Sequence, residues 1–185
     1  MAIPTPEDCR LLMERYRMPE HIRAHSLLVG RVAEALAAAL LARGEPIRVE
    51  LALAGGLLHD IAKALCLEDD CNHARMGREI CRRHGYDEVG PLVAEHVLLS
   101  SGGNGRCNER EIVYYADKRV CHASIVTLDE RRDDIIRRYA PRDARRQEQI
   151  RHNFQICKRL EERLFGGLSL TPSDLAQLAT IAEEI

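Results

Sequence analysis

The sequence has no tryptophan and only two phenylalanines among its 185 residues. A folded core must therefore be assembled from Leu, Ala, Ile and Val, a composition that favours helices. A basic surplus is also missing. The formal net charge is -2, which argues against a general nucleic-acid binder. No run of about 18 apolar residues is present, so no membrane span is expected. The opening residues Met1 to Asp8 lack the basic stretch and apolar segment of an export signal. The seven cysteines follow no regular framework and, without such a signal, read as reduced thiols of a cytoplasmic protein. Nowhere do apolar and polar residues alternate as in a half-buried strand. These absences leave an all-α fold, most simply a single domain.

Helix punctuation is plentiful. Thr5, Pro6 and the acids Glu7 and Asp8 form a helix start, and that helix should run to about Tyr16. Pro19 begins a longer helix that stops at Gly44 and carries the apolar stripe Leu28, Val29, Val32 and Leu36, with His25 on the same stripe. A third, almost wholly apolar helix is expected over Val49 to Leu65. Further helices are expected over His73 to His84, Glu88 to Leu99, Glu109 to Ser124 behind a capping Asn108, and Thr127 to Tyr139 behind a capping box. Two more, about Asp143 to Phe165 and Pro172 to Glu184, close the chain. The segment Ser100 to Gly105 is the richest in loop residues, and its place directly after His96 suggests a lid.

The third helix holds the organising feature, Leu57-Leu58-His59-Asp60-Ile61-Ala62-Lys63. A helix apolar on every side is a buried one, and an ionised carboxylate is almost never fully buried unless it is paired or bound to a metal. Lys63 follows one turn later on the same side. Gly55 and Gly56 cost helix stability, about 1 kcal/mol each relative to alanine, and so signal a need for space. His25, His59, Asp60, His73, His96 and Asp117 all fall on apolar helical faces. One such histidine is usually a core residue satisfied by a hydrogen bond. Six such residues spread over five helices point instead to a metal site, and imidazole with carboxylate suits Fe, Mn, Ni or Zn. Cys66, Cys71 and His73 could form a structural zinc site, but their spacing misses the usual knuckle pattern. The arginine-rich stretch Arg131 to Arg151 is balanced by acids at nearly every turn and reads as a solvated helix face.

In order along the chain, His25, His59-Asp60 and Asp117 resemble the HD-domain metal-dependent phosphohydrolases, a helical superfamily named for its His-Asp doublet. Leu57 to Lys63 is close to the second motif of that family, and Tyr114 to Lys118 resembles the last. Asn72 to Gly77 and Ala94 to His96 are similar to the two additional histidine motifs of its dinuclear members, among them bacterial hydrolases of dinucleoside polyphosphates. The likeness covers about Pro19 to Tyr139, giving one HD-type domain over residues 1–185 with a core at about 19–139 and a C-terminal helical extension at about 143–185. Ala62 departs from the glycine common at that position, and the Gly-Tyr-Pro motif of the cyclic-di-GMP phosphodiesterases is absent.

The resemblance implies two divalent metal ions. His25, His59, Asp60 and Asp117 would hold the first, with His73 and His96 holding the second through a bridging Asp60. A metal-activated hydroxide would attack a phosphate ester or anhydride of a small, nucleotide-like substrate. Lys63 and, more weakly, Lys118 would bind the substrate phosphate. Two alternatives stand beside this reading: a mixed-valence di-iron oxygenase with the same ligand set, and a nucleotide-sensing module without catalysis. The expected partner is the small phosphorylated substrate, with neither nucleic acid nor membrane. The C-terminal helices would serve either a homodimer or completion of the core.

Overall fold

The computed structural model describes residues 2–67, 71–100 and 105–177. Its helices are α1 (Pro6–Arg15), α2 (Glu20–Ala42), α3 (Val49–Leu58), α4 (His73–Arg83), α5 (Val89–Glu95), α6 (Glu109–Arg119), α7 (Leu128–Tyr139) and α8 (Ala144–Phe165), with short 3-10 turns at Ala64–Cys66 and Asp174–Ala176. The fold is all-α apart from one tiny antiparallel hairpin, β1 (Val120–Cys121) and β2 (Ser124–Ile125). The capping signals are realised as bonds. Thr5 and Asp8 form a reciprocal box at α1, as do Thr127 and Glu130 at α7, and the Asn108 side chain accepts from the Glu111 amide at α6.

α2 and α3 form the tightest pair in the core, and glycine is the reason. A Cβ on Gly56 would lie 2.7 Å from the Gly30 Cα, and one on Gly30 would meet Leu57 Cδ2 at 2.9 Å. The two backbones therefore touch, and the need for space read from Gly55 and Gly56 has its physical cause. This crossing sets His25 of α2 beside His59 at the end of α3, their ring centroids 5.2 Å apart. By length and composition α2 could cross a membrane. In this fold its stripe Val29, Val32, Leu36 and Leu40 is buried instead, packed against α3 and α6.

Several expected helices end early, each for a local reason. α3 stops at Leu58 rather than Leu65 because the His59 ring Nδ1 takes the Gly56 carbonyl at 2.7 Å, and Ile61 N–H then turns back to the Leu58 carbonyl at 3.0 Å. α5 stops at Glu95, just before His96, whose ring Nδ1 takes the Val93 carbonyl at 2.6 Å. In both cases the histidine caps its own helix. α6 stops at Arg119 rather than Ser124. Val120 turns extended to pair with Ile125, a conformation that β-branched residues favour, and His122 sits in the connecting turn at φ 56°. Arg119 closes the hairpin by donating from Nε to the Val126 carbonyl at 2.7 Å.

The C-terminal extension completes the core. Phe154, Cys157, Leu160 and Leu164 of α8 are buried, and Arg163 pairs with the buried Glu111 of α6 at 2.5 Å. Asn153 accepts from the Tyr114 hydroxyl at 2.7 Å and donates to the Val97 carbonyl at 3.2 Å, which ties α8 to the segment after His96. Of the helix expected over Pro172 to Glu184, the 3-10 turn Asp174–Ala176 is present, with the Thr171 amide and hydroxyl donating to Asp174 Oδ2, and residues 178–185 lie outside the described residues. Residues 101–104 of the expected lid also lie outside them. Cys66 and Cys71, with Cα atoms 4.8 Å apart, form a disulfide that links the turn after Lys63 to the start of α4. The expectation of reduced thiols throughout is corrected there. The other five cysteines are free.

A Gly56→Ala substitution places a methyl group against the Gly30 backbone, where no side chain can yield. Overpacking of this kind costs about 1–3 kcal/mol, so thermal denaturation should show a clearly lowered Tm. An unchanged Tm would contradict the backbone contact.

Candidate metal centre

Six side chains from five helices or their ends meet at one place. His25 comes from α2, His59 from the end of α3, Asp60 from the turn that follows, His73 from the first residue of α4, His96 from the end of α5 and Asp117 from α6. Two sets of potential ligand atoms, each mutually within 4.8 Å, are His25-His59-Asp60 and Asp60-His73-His96. Asp60 belongs to both. Its Oδ2 lies 3.4 Å from His59 Nε2, and its Oδ1 lies 3.5 Å from both His73 Nε2 and His96 Nε2. Asp117 Oδ1 lies 3.2 Å from His25 Nε2 and 3.6 Å from His59 Nε2.

Protonation follows from the outer contacts. A carbonyl oxygen can only accept, so Nδ1 carries the proton wherever it faces one. His59 donates to Gly56, His96 to Val93 and His25 to His122, at 2.7, 2.6 and 3.1 Å. A ring that is neutral therefore directs its Nε2 lone pair inward. Metal-binding histidines are ordinarily oriented in this way, with the second nitrogen donating to a carbonyl or carboxylate. Inside, lone pairs face carboxylate oxygens with too few protons to share among them. His59 Nε2 and Asp60 Oδ1 are buried and have no hydrogen-bond partner among the described residues. A cation resolves this conflict, and ligand atoms about 2.0–2.2 Å from a common ion would lie at these mutual separations. The donor set fits divalent metal.

Charges around the ligands keep them competent. Burial alone would raise the Asp60 carboxyl, but the positive charge around it, the Lys63 ammonium included, outweighs it and holds the group well below the usual carboxylate range. Asp117 behaves likewise: burial is outweighed by the Lys118 ammonium and the Arg131 guanidinium. His73 is held to about 4, chiefly by burial, so its imidazole is neutral at physiological pH.

The two lysines singled out from sequence differ in their surroundings. Lys63 Nζ sits 2.7 Å from Asp60 Oδ2 with its side chain 32% exposed, at the open edge of the site. Lys118 is buried, its ammonium 2.6 Å from the His96 carbonyl and 2.8 Å from Asp117 Oδ2, over the Tyr114 ring. Its donors are thus turned to the protein, fixing Asp117 against the end of α5, and the phosphate-binding role expected of it is not supported. One charged residue was passed over in the sequence. Arg131 of α7, read there as part of a solvated face, points inward with its side chain 12% exposed and its Nη2 3.9 Å from Asp117 Oδ1. Its three-residue spacing from the buried Leu128 and Asp134 was the available signal, because that period marks the inward face of a helix.

The family profile described as HD domain matches residues 22–120. The chain belongs to the HD domain family. An uncharacterized protein of Methanocaldococcus jannaschii, MJ0778, is 31% identical over 137 residues, covering 66% of this chain and 78% of that protein. Ribonuclease Y of Fusobacterium nucleatum is 36% identical over 103 residues, 52% of this chain and 19% of the enzyme. Ribonuclease Y of a Sulfurovum species is 43% identical over 135 residues, 63% of this chain and 25% of the enzyme. The chain thus spans a quarter or less of these ribonucleases. No solved structure matches. Family membership supports a metal-dependent hydrolase at the coarse level.

The folded His73, at about 4, lies below the 6.5 of a free imidazole, so on acidification the unfolded chain takes up this proton first. Its contribution to stability is full above the unfolded value and is lost as pH falls through the folded one. Denaturant unfolding of the metal-free protein should therefore weaken over this window more steeply in wild type than in His73→Asn. Superimposable profiles would show that His73 is not held neutral.

Proposed function

We propose that this HD domain hydrolyses a phosphate ester or anhydride of a small, nucleotide-like substrate. The observation that carries the reading is the placement of Lys63. It is a partly exposed ammonium bonded to the carboxylate shared by both ligand sets, so an incoming anion meets a positive group at the entrance to a buried donor cluster.

Two divalent ions, when bound, supply charge that acidifies water and neutralises a transferring phosphoryl group. The protein's own side chains do the rest. Asp60 offers one oxygen to each histidine set and so ties the two positions together. The carbonyls of Gly56, Val93 and His122 keep the rings of His59, His96 and His25 turned inward. Lys118 holds Asp117 in place. Lys63 orients a phosphate oxygen at the open edge, beside His73, whose side chain is 29% exposed.

The test is hydrolysis of p-nitrophenyl phosphate, mononucleotides, dinucleoside polyphosphates and short RNA by protein reconstituted with Mn, Fe, Ni or Zn in turn. RNA is included because the relatives are named ribonuclease Y. Turnover in at least one metal is expected, and Lys63→Ala should lower kcat/KM about tenfold or more, the worth of a charged hydrogen bond, without loss of metal. Absence of hydrolysis under every metal, with oxygen uptake instead, would transfer the site to the oxygenase reading.

A further inference from the structure

We propose that Arg131 binds the substrate phosphoryl group and selects a terminal, doubly charged phosphate over an internal diester. This rests on the hydrolase reading and gives its substrate class.

Among the described residues the guanidinium is hydrogen-bonded at one end only. Its Nη1 reaches Asp134 Oδ2 at 3.3 Å, and Asp134 is buried and shared with Arg137 and Arg138 on the same helix. That anchor fixes the plane of the group and leaves its other edge, formed by Nε and Nη2. Nε is buried with no hydrogen-bond partner among the described residues. Nη2 lies 3.9 Å from Asp117 Oδ1, too far for a hydrogen bond. That oxygen is the same one that faces the inward nitrogens of His25 and His59. The edge formed by a guanidinium Nε and Nη2 is a two-pronged donor whose spacing matches two oxygens of a carboxylate or phosphate. Here it is preoriented beside the metal ligands, on the Asp117 side, while Lys63 stands on the Asp60 side.

Charge favours the same ligand. Asp60 and Asp117 already have Lys63, Lys118 and Arg131 close by, so the carboxylates are neutralised before any metal is counted. Divalent ions then leave a positive excess in a largely buried site. A terminal phosphoryl group, with two negative charges and three free oxygens, offsets that excess and can meet both the Arg131 edge and Lys63. An internal diester has one charge and two free oxygens.

Arg131→Lys keeps the positive charge beside Asp134 and removes the two-pronged edge. Arg132→Gln removes a charge from the same helix, where that side chain pairs with the exposed Asp129 and Asp133 and not with the Asp134 anchor, and serves as the control. Each is loaded with the metal that supports wild-type turnover. Binding of inorganic phosphate is then followed by calorimetry, and kcat/KM is measured for p-nitrophenyl phosphate and bis(p-nitrophenyl) phosphate. In Arg131→Lys, phosphate should bind about tenfold more weakly and the monoester-to-diester ratio should fall, with metal content and Tm close to wild type. Arg132→Gln should match wild type. If Arg131→Lys binds phosphate and discriminates between the esters as wild type does, the inference is overturned and the hydrolase reading stands. If Arg132→Gln loses as much as Arg131→Lys, the effect belongs to the packing of α7 and the inference is likewise overturned. If wild type neither binds phosphate nor hydrolyses either ester, the hydrolase reading fails and takes this inference with it.

Discussion

Everything near the centre of this molecule follows from the crowding of electron pairs in a dry place. Three imidazole nitrogens and the oxygens of two carboxylates converge at 3.2 to 3.6 Å. The backbone carbonyls behind the rings have already claimed the protons that could have relieved them. A buried polar atom without a partner costs a few kcal/mol, and a buried charge costs more. Natural cores avoid such clusters unless something positive enters them. The fold spends its least forgiving feature, the backbone contact of Gly30 with Gly56, on bringing two of these rings together.

The surrounding cations divide the labour by position. Lys118 is buried and turned toward protein oxygens, so it acts on geometry. Lys63 is bonded to Asp60 yet partly open to solvent, which suits a group that meets substrate. α7 contributes from outside the five ligand-bearing helices, through the anchored guanidinium of Arg131. α8 supplies none of the six ligands, but its Asn153 holds the backbone just after His96. The C-terminal extension is thereby linked to the position of one ring.

Much of this was legible in the sequence, because buried polar residues in apolar helices are conspicuous. The His59-Asp60 doublet stands out against Leu57, Leu58 and Ile61, and the helical period finds His25, His96 and Asp117 by the same contrast. Less visible were features that depend on tertiary contact. Hydropathy continues past Leu58, so nothing local shows that His59 will take the Gly56 carbonyl and end the helix. The hairpin after α6 holds only two residues per strand, too few for any alternation to register. Arg131 was hidden by its neighbours: among alternating arginines and acids, charge balance suggests solvent, and only the spacing to Leu128 and Asp134 separates it from Arg132 and Arg137. Lys118 misled in the opposite sense, since a lysine beside a site residue looks available until its partners are seen.

The central claim is that the clustered lone pairs exist to hold metal, and stoichiometry tests it most directly. Elemental analysis of the protein as isolated and after reconstitution, beside an Asp60→Ala variant, should give about two ions per chain in wild type, the number that a carboxylate shared by two ligand sets implies. The variant should lose both or retain one weakly. A wild-type chain that stays folded yet takes up no metal after reconstitution with Mn, Fe, Ni or Zn would contradict the account.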